Sequence, residues 1–245
     1  MTAEALLDPD FRPSSSILKL VERAVRDFDL IPSGARIAVG LSGGKDSLLL
    51  AVTLRELAAR DDMRFEWTGL HLDQNQPGFD RAGFDRALEL LDIPCEVIDR
   101  DTHSVVQSKL QPGQIPCAIC SRMRRGILND WCAEHRWDRL AMGHHLDDAL
   151  ETFFLNLLYG RRLDPLKPAT PDSAGAVTTI RPLILVEERK ISDWVHKAAV
   201  PTVACPVCDN YPQSRRRDLK QLFAGLTALD TDIHASVRAA LYSAP

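Results

Sequence analysis

No stretch of this sequence is apolar for anything near the ~18 residues that a membrane-spanning helix requires, so no membrane association is expected. Positive charge is not in surplus either. Lys and Arg number 30 against 34 Asp and Glu, a net charge of −4. That excludes a chain basic over its whole surface, and any RNA contact has to use local patches. Met1 to Ser16 carries Glu4, Asp8 and Asp10 and lacks an apolar h-region, so no secretory signal is expected and the expected compartment is the cytoplasm. Internal repeats and low-complexity tracts are missing as well. In a reducing compartment the six cysteines (Cys95, Cys117, Cys120, Cys132, Cys205 and Cys208) read as thiols or metal ligands rather than as a disulfide framework. What is present, 245 residues that are 45% hydrophobic and 26% charged, suits one compact domain with small additions.

The chain is organised around Val39-Gly40-Leu41-Ser42-Gly43-Gly44-Lys45-Asp46-Ser47. The apolar run from Arg36 predicts a buried strand, Ser42-Gly43-Gly44 a tight turn, and Asp46 to Leu57 a helix. Strand, glycine turn and helix N-terminus together make an anion site, because the backbone N–H groups are uncovered and the helix dipole favours negative charge. It is not a Walker A loop. That pattern needs Ser or Thr after the Lys and a Gly where Val39 stands, and here Asp46 follows Lys45. The Ser-Gly-Gly-x-Asp-Ser run resembles instead the PP-loop of the N-type ATP pyrophosphatases, which implies ATP cleaved between its α- and β-phosphates.

Elsewhere periodicity and turn residues predict an amphipathic helix over Ile17 to Leu30 after a Ser N-cap, and a strand over Phe65 to Leu72. A polar loop, Asp73 to Gly78, ends that strand. A helix over Asp80 to Leu91, a strand at Cys95 to Ile98, a strand over Arg139 to Gly143 and a helix over Asp147 to Leu158 continue the alternation. Thr179 to Leu183 reads as an edge strand, since Pro182 cannot donate to a ladder. Pro165 to Ala176 reads as a flexible loop. Three more helices are expected over Glu187 to Ala199, Ser214 to Leu226 and on to Leu241. Strands alternating with helices give an α/β fold with a doubly wound parallel sheet, whose ligands gather at the carboxyl edge. The expected division is a helical segment over 1–34, the PP-loop domain over 35–213 and a short helical segment over 214–245.

Cys117-Ala118-Ile119-Cys120 and Cys205-Pro206-Val207-Cys208 are two pairs at C-x-x-C spacing. Such a turn brings both sulfurs to one side, where they can share a metal centre. Zinc ribbons hold their pairs ~15–20 residues apart. These lie much further apart, which favours a site assembled by the fold; spacing alone does not name the metal. Cys95 and Cys132 read as packing residues. Gly143-His144-His145-Leu146-Asp147-Asp148 closes a strand and opens a helix. Two imidazoles and two carboxylates at a sheet edge suit Mg²⁺ beside substrate phosphates, and Asp147 or Asp148 equally suits simple helix capping. Basic clusters at Arg122, Arg124 and Arg125, at Arg161 and Arg162, and at Arg215 to Arg217 adjoin these elements and hint at a polyanionic substrate.

With these pieces together the chain resembles the tRNA 2-thiocytidine synthetase (tRNA-cytidine 2-sulfurtransferase) family from about Ile17 to Arg217. The likeness is carried by Leu41 to Ser47, Leu72-Asp73-Gln74 with Gln76-Pro77-Gly78-Phe79, and Cys117-x-x-Cys120-Ser121-Arg122 with Arg124-Arg125-Gly126. It continues in Gly143-His144-His145 with Asp147-Asp148, Phe154-Leu155-Asn156, Ile180-Arg181-Pro182-Leu183, and Cys205-x-x-Cys208. The resemblance implies a [4Fe-4S] cluster on Cys117, Cys120 and one of Cys205 and Cys208. It also implies ATP and Mg²⁺, with nucleotide held by Ser42, Gly43, Gly44, Lys45, Asp46, Ser47, Leu72, Asp73 and Gly143. Asp46, Asp148 and Arg124 are the implied catalytic residues. A cytidine C2 oxygen in tRNA (anticodon loop, position 32) would be adenylated and replaced by sulfur from a cysteine desulfurase or another persulfide donor. A homodimer is compatible with this reading. Family members continue well past Pro245, and they carry Gly-Ser-Gln where this chain has Asp209-Asn210-Tyr211-Pro212-Gln213. The alternatives are a PP-loop ligase or amidotransferase with structural zinc acting on a small molecule, and a nucleotide-binding regulator without turnover.

Overall fold

The computed structural model of the protein describes residues 11–110, 116–206, 215–228 and 232–242. α1 (Ser15–Asp27) starts at Ser14, whose hydroxyl accepts from the Ile17 amide. It buries Ile17, Val21, Ala24 and Val25, one stripe at helical spacing. β1 (Ala35–Leu41) leads into α2 (Lys45–Ala58), in which Leu48 to Leu54 are all buried. β2 (Phe65–Asp73), α3 (Arg81–Leu90) and β3 (Cys95–Asp99) follow, with the Asp80 carboxylate capping α3 by accepting from Gly83 N at 2.8 Å. Then come α4 (His103–Lys109), α5 (Cys117–Glu134), β4 (Arg139–Ala141), α6 (Leu146–Leu158), β5 (Ala169–Pro171), β6 (Thr178–Ile180), α7 (Glu188–Ala198), α8 (Arg215–Ala228) and α9 (Ile233–Tyr242).

The sheet order is β3-β2-β1-β4-β6-β5, parallel throughout except for the β5–β6 pair. The chain runs outward from β1 to β3 and returns to β4 on the other side of β1. A crevice therefore opens between the carboxyl ends of β1 and β4, where open α/β sheets bind ligands. Both faces are covered. Leu41, the α2 leucines, Phe84, Ile191 and Trp194 form the larger core on one face, and α1, α8 and α9 contribute to it. Ala38, Leu70, Leu72, Leu128, Cys132 and Leu140 form a smaller core under α5. The last helices are tied in by specific contacts. Phe223 meets Phe154 edge-on at 5.1 Å, and the Tyr242 hydroxyl donates to Leu166 O at 2.6 Å.

Two expectations are corrected here. β6 is not an edge strand. It stops at Ile180, two residues before Pro182, so that proline removes no ladder bond, and β6 lies between β4 and β5. The edge is β5, a three-residue strand inside the segment expected to be a flexible loop. It ends on Pro171, which an edge position tolerates.

Candidate active site

The Ser42-to-Ser47 turn sits at the end of β1 and is held by its own side chains. Ser47 Oγ donates to Gly44 O at 2.9 Å and accepts from Ser42 N at 3.2 Å; Ser42 Oγ accepts from Gly44 N at 3.4 Å. Gly43 adopts φ +79°, which a side chain would strain, and a Cβ there would meet Phe84 and Val203 at 3.0 Å. Gly44 caps α2 without any side-chain hydrogen bond. At the end of β4, Gly143 packs against the same turn, and a Cβ there would stand 3.0 Å from the Asp46 carbonyl carbon. The two glycines let the ends of β1 and β4 close around one depression.

Ser42, Asp46, Ser47, Leu72, Arg124, Gly143, His144 and Asp148 line that depression. An adjoining one is lined by Ser42, His71, Leu72, Asp73, Gln74, Gln76, Phe79, Arg124 and Cys205. Arg124, half-buried on α5, borders both. Gly43, Gly44 and Lys45 join β1 to α2 and are not among the residues that line either depression. Lys45 Nζ is paired with Asp46 Oδ1 at 2.9 Å and with Glu188 Oε1 at 3.1 Å; Lys220 holds the other Glu188 oxygen at 2.9 Å. Burial works against the Lys45 ammonium, but Asp46 and Glu188 outweigh it and raise its pKa.

His145 lies beneath the two carboxylates rather than among their open oxygens. It is buried, and its Nε2 stands 3.7 Å from Asp46 Oδ1 and 3.5 Å from Asp148 Oδ2. Burial opposes its protonation; Asp147, Asp148 and Asp46 together push its pKa up all the same. One imidazole edge therefore gathers both carboxylates at the mouth, a donor set of hard oxygens that fits Mg²⁺. Asp147 stands 3.7 Å from the other ring nitrogen, His145 Nδ1, and its remaining bonds are structural. It accepts from Glu188 N at 2.7 Å and from His234 at 2.7 Å, joining α6, α7 and α9.

Cys120 and Cys205 each reach a glutamine of the polar loop after β2. Cys120 Sγ lies 3.1 Å from Gln74 Oε1, and Cys205 Sγ lies 3.9 Å from Gln76 Oε1. Val203 N donates to Gly43 O at 2.9 Å, which fastens the segment before Cys205 to the phosphate turn. The side chain of Cys117, at the start of α5, and the whole of Cys208 lie outside the described residues, as do the side chains of Arg215 to Arg217. Cys205 lines the second depression and Cys120 reaches Gln74, which lines it as well; soft thiol donors on two separate elements are of the kind an iron–sulfur cluster takes. Burial pushes the Cys95 thiol up to about 11 and the Cys132 thiol to about 12, which agrees with packing roles for both. Glu188 and Val203 are site residues that the motifs did not reveal. Glu188 looks like an ordinary first-turn acid, and Val203 acts only through its backbone.

A turn of this sequence, placed at the switch point of such a sheet, defines the PP-loop class of nucleotide-binding proteins. Comparison with protein families agrees: residues 14–206 match the PP-loop domain. The chain belongs to the PP-loop family, in the group of the tRNA-cytidine(32) 2-sulfurtransferases. The enzyme of that name from Nitrosomonas eutropha is 38% identical over 83% of this chain, which spans 65% of that relative's length. The one from Anaeromyxobacter dehalogenans is 37% identical over 89% of this chain and 75% of its own. Among solved structures, the U34-tRNA thiolase NcsA from Methanococcus maripaludis, determined with its [4Fe-4S] cluster, superposes with a TM-score of 0.69 at 22% identity. The match covers 89% of this chain and 75% of that one, and it supports the fold.

Proposed function

We propose that this protein is an ATP-dependent tRNA thiolase that replaces the C2 oxygen of a cytidine in the anticodon loop (position 32) with sulfur. The observation that carries the reading is that the depression beside the phosphate turn shares Ser42, Leu72 and Arg124 with one lined by Cys205 and by Gln74, which Cys120 reaches. Residues 35–213 form the catalytic part in this reading, with helical additions over 1–34 and 214–245.

The chemistry follows from a poor leaving group. The C2 oxygen attacks the α-phosphorus of ATP and pyrophosphate departs. A sulfur nucleophile then adds at C2, and the oxygen leaves with AMP. The turn amides and the N-terminus of α2 receive the phosphates. Lys45 offsets the charge that develops on pyrophosphate, and Asp46 and Asp148 would hold a Mg²⁺ that supplies further positive charge there. Arg124, bordering both depressions, places a cation beside the activated base. Cys117, Cys120 and one of Cys205 and Cys208 would hold a [4Fe-4S] cluster, which when bound would supply a site for the incoming sulfur. A cysteine desulfurase or another persulfide donor would provide the sulfur, with a thiol as the two-electron reductant that releases the outer sulfur as hydrosulfide and ends as a disulfide.

Exposed arginines on α5 and in the segment after α6 support a polyanionic substrate. Arg181 is buried, which together with the nearby charge of Arg125 lowers its pKa to about 10. Arg122, Arg125, Arg161 and Arg162 are exposed. The test is incubation of anaerobically reconstituted protein with transfer RNA, ATP, Mg²⁺ and sulfide, followed by nucleoside mass spectrometry. The expected product is 2-thiocytidine. Pyrophosphate release with a small-molecule amine as acceptor, and no thionucleoside, would place the chain among the ligases.

A further inference from the structure

The polar loop after β2 carries two glutamines to which the mechanism above gives no task. Its backbone is fixed at both ends. The Asp73 carboxylate accepts from Asn75 N at 3.0 Å and from Arg81 at 3.2 Å, Gln74 O accepts from His103 N at 3.2 Å, and Gln76 O accepts from Phe79 N at 3.2 Å. Asn75, at φ +54°, occupies the left-handed region between the two glutamines. On one side of it, Gln74 reaches Cys120; on the other, Gln76 reaches Cys205.

Resting on the cluster reading above, we infer that Gln74 and Gln76 are positioning residues for the cluster thiolates, one for each cysteine segment. Cys120 as a thiol donates S–H to Gln74 Oε1. Bound to iron it has no proton to give and becomes an acceptor. Rotating the amide by half a turn exchanges oxygen for nitrogen, a choice that ordinary structures assign from the surrounding network. The amide then has two donors for two partners. One N–H faces the Cys120 sulfur and the other faces Thr102 Oγ1, which lies 3.1 Å from the same amide position. The Thr102 hydroxyl is both donor and acceptor, so it serves either orientation. At 2% exposure it has little recourse to water. Gln76, half-buried beside the exposed Cys205, offers the second segment the same amide donor. Hydrogen bonds to ligating sulfurs hold clusters in place and tune them, as outer partners do at metal sites generally.

The test uses full-length protein reconstituted anaerobically: wild type, Gln74→Leu, Gln74→Glu and Gln76→Leu. Iron and acid-labile sulfide are measured at the start, and loss of the visible cluster absorbance is then timed against a ferrous chelator. Gln74→Leu keeps the volume and removes both donors, and it should lose its cluster 10–100-fold faster. Gln74→Glu sets an acceptor-only carboxylate against a thiolate and should be at least as fast. Melting of the metal-free proteins separates lost ligation from lost folding, and Gln76→Leu, on the half-exposed loop, provides the answer if Gln74 variants unfold. Wild-type rates in folded Gln74→Leu and Gln76→Leu would overturn this inference alone. Wild-type protein that takes up no iron and sulfide would overturn the cluster reading and this inference with it.

Discussion

A Cys120→Ala protein, purified without oxygen, is expected to be colourless, with iron and acid-labile sulfide each down at least ~10-fold against the unaltered chain. Changing an outer partner of a metal site already costs 10–100-fold, and loss of a ligand costs no less. Cys120 is singled out because its position is fixed: it lies on α5, half-buried, with its sulfur 3.1 Å from Gln74. The comparison that gives the result meaning is Cys132→Ala. Cys132 is wholly buried among Leu128, Leu140 and Leu70, far from thiolate character. That variant should lose some stability and keep its iron. Cys205→Ala and Cys208→Ala, measured side by side, decide which of the two completes the ligand set. A Cys120→Ala protein with full iron and sulfide would remove the cluster from this mouth.

The second large effect concerns phosphate chemistry. Asp46→Ala should reduce pyrophosphate release at least ~10²-fold, the scale of removing one preorganised electrostatic contact. Its melting temperature should change little, since the carboxylate is about a third exposed, side by side with Lys45. Ser47→Ala is a different experiment. Its hydroxyl accepts from Ser42 N and donates to Gly44 O, so its loss loosens the turn itself. About 1 kcal/mol of stability should go with the activity. Pyrophosphate release at the normal rate by Asp46→Ala would contradict the assignment of this turn to ATP.

The phosphate turn was legible because its chemistry is local. Glycines, a helix start and a preceding apolar strand all fall within a dozen residues, and the turn forms as the sequence reads. The alternating order of strands and helices was legible for the same reason. Sheet position was not. Pro182 suggested an edge, but the strand ends at Ile180 and the edge is taken by Ala169–Pro171, three residues too short to give a periodic signal. The short helix α4 was missed likewise; it is seven residues long and begins after a Thr without a side-chain cap bond.

The candidate site was readable as separate motifs and not as one place. Nothing in the sequence near Val203 says that its amide will bond to Gly43 O, yet that bond sets Cys205 beside the phosphate turn. His145 was read with Asp148 as an open ligand set. The fold instead buries the imidazole and uses it to gather Asp46 and Asp148 from different helices. Glu188 lies more than a hundred residues from Lys45, and only the packing of α7 on α2 brings them together. Long-range backbone bonds and ion pairs leave no periodic trace, so such links become visible only in three dimensions.

The central claim is that ATP activates the oxygen that sulfur replaces. The most direct measurement follows that oxygen. Transfer RNA carrying ¹⁸O at cytidine C2 is incubated with the reconstituted protein, ATP, Mg²⁺ and sulfide in ordinary water, and the AMP formed is weighed by mass spectrometry. The account expects one ¹⁸O in each AMP, in equal amount to the 2-thiocytidine and pyrophosphate produced. AMP bearing only oxygen from water, with thionucleoside still formed, would contradict it.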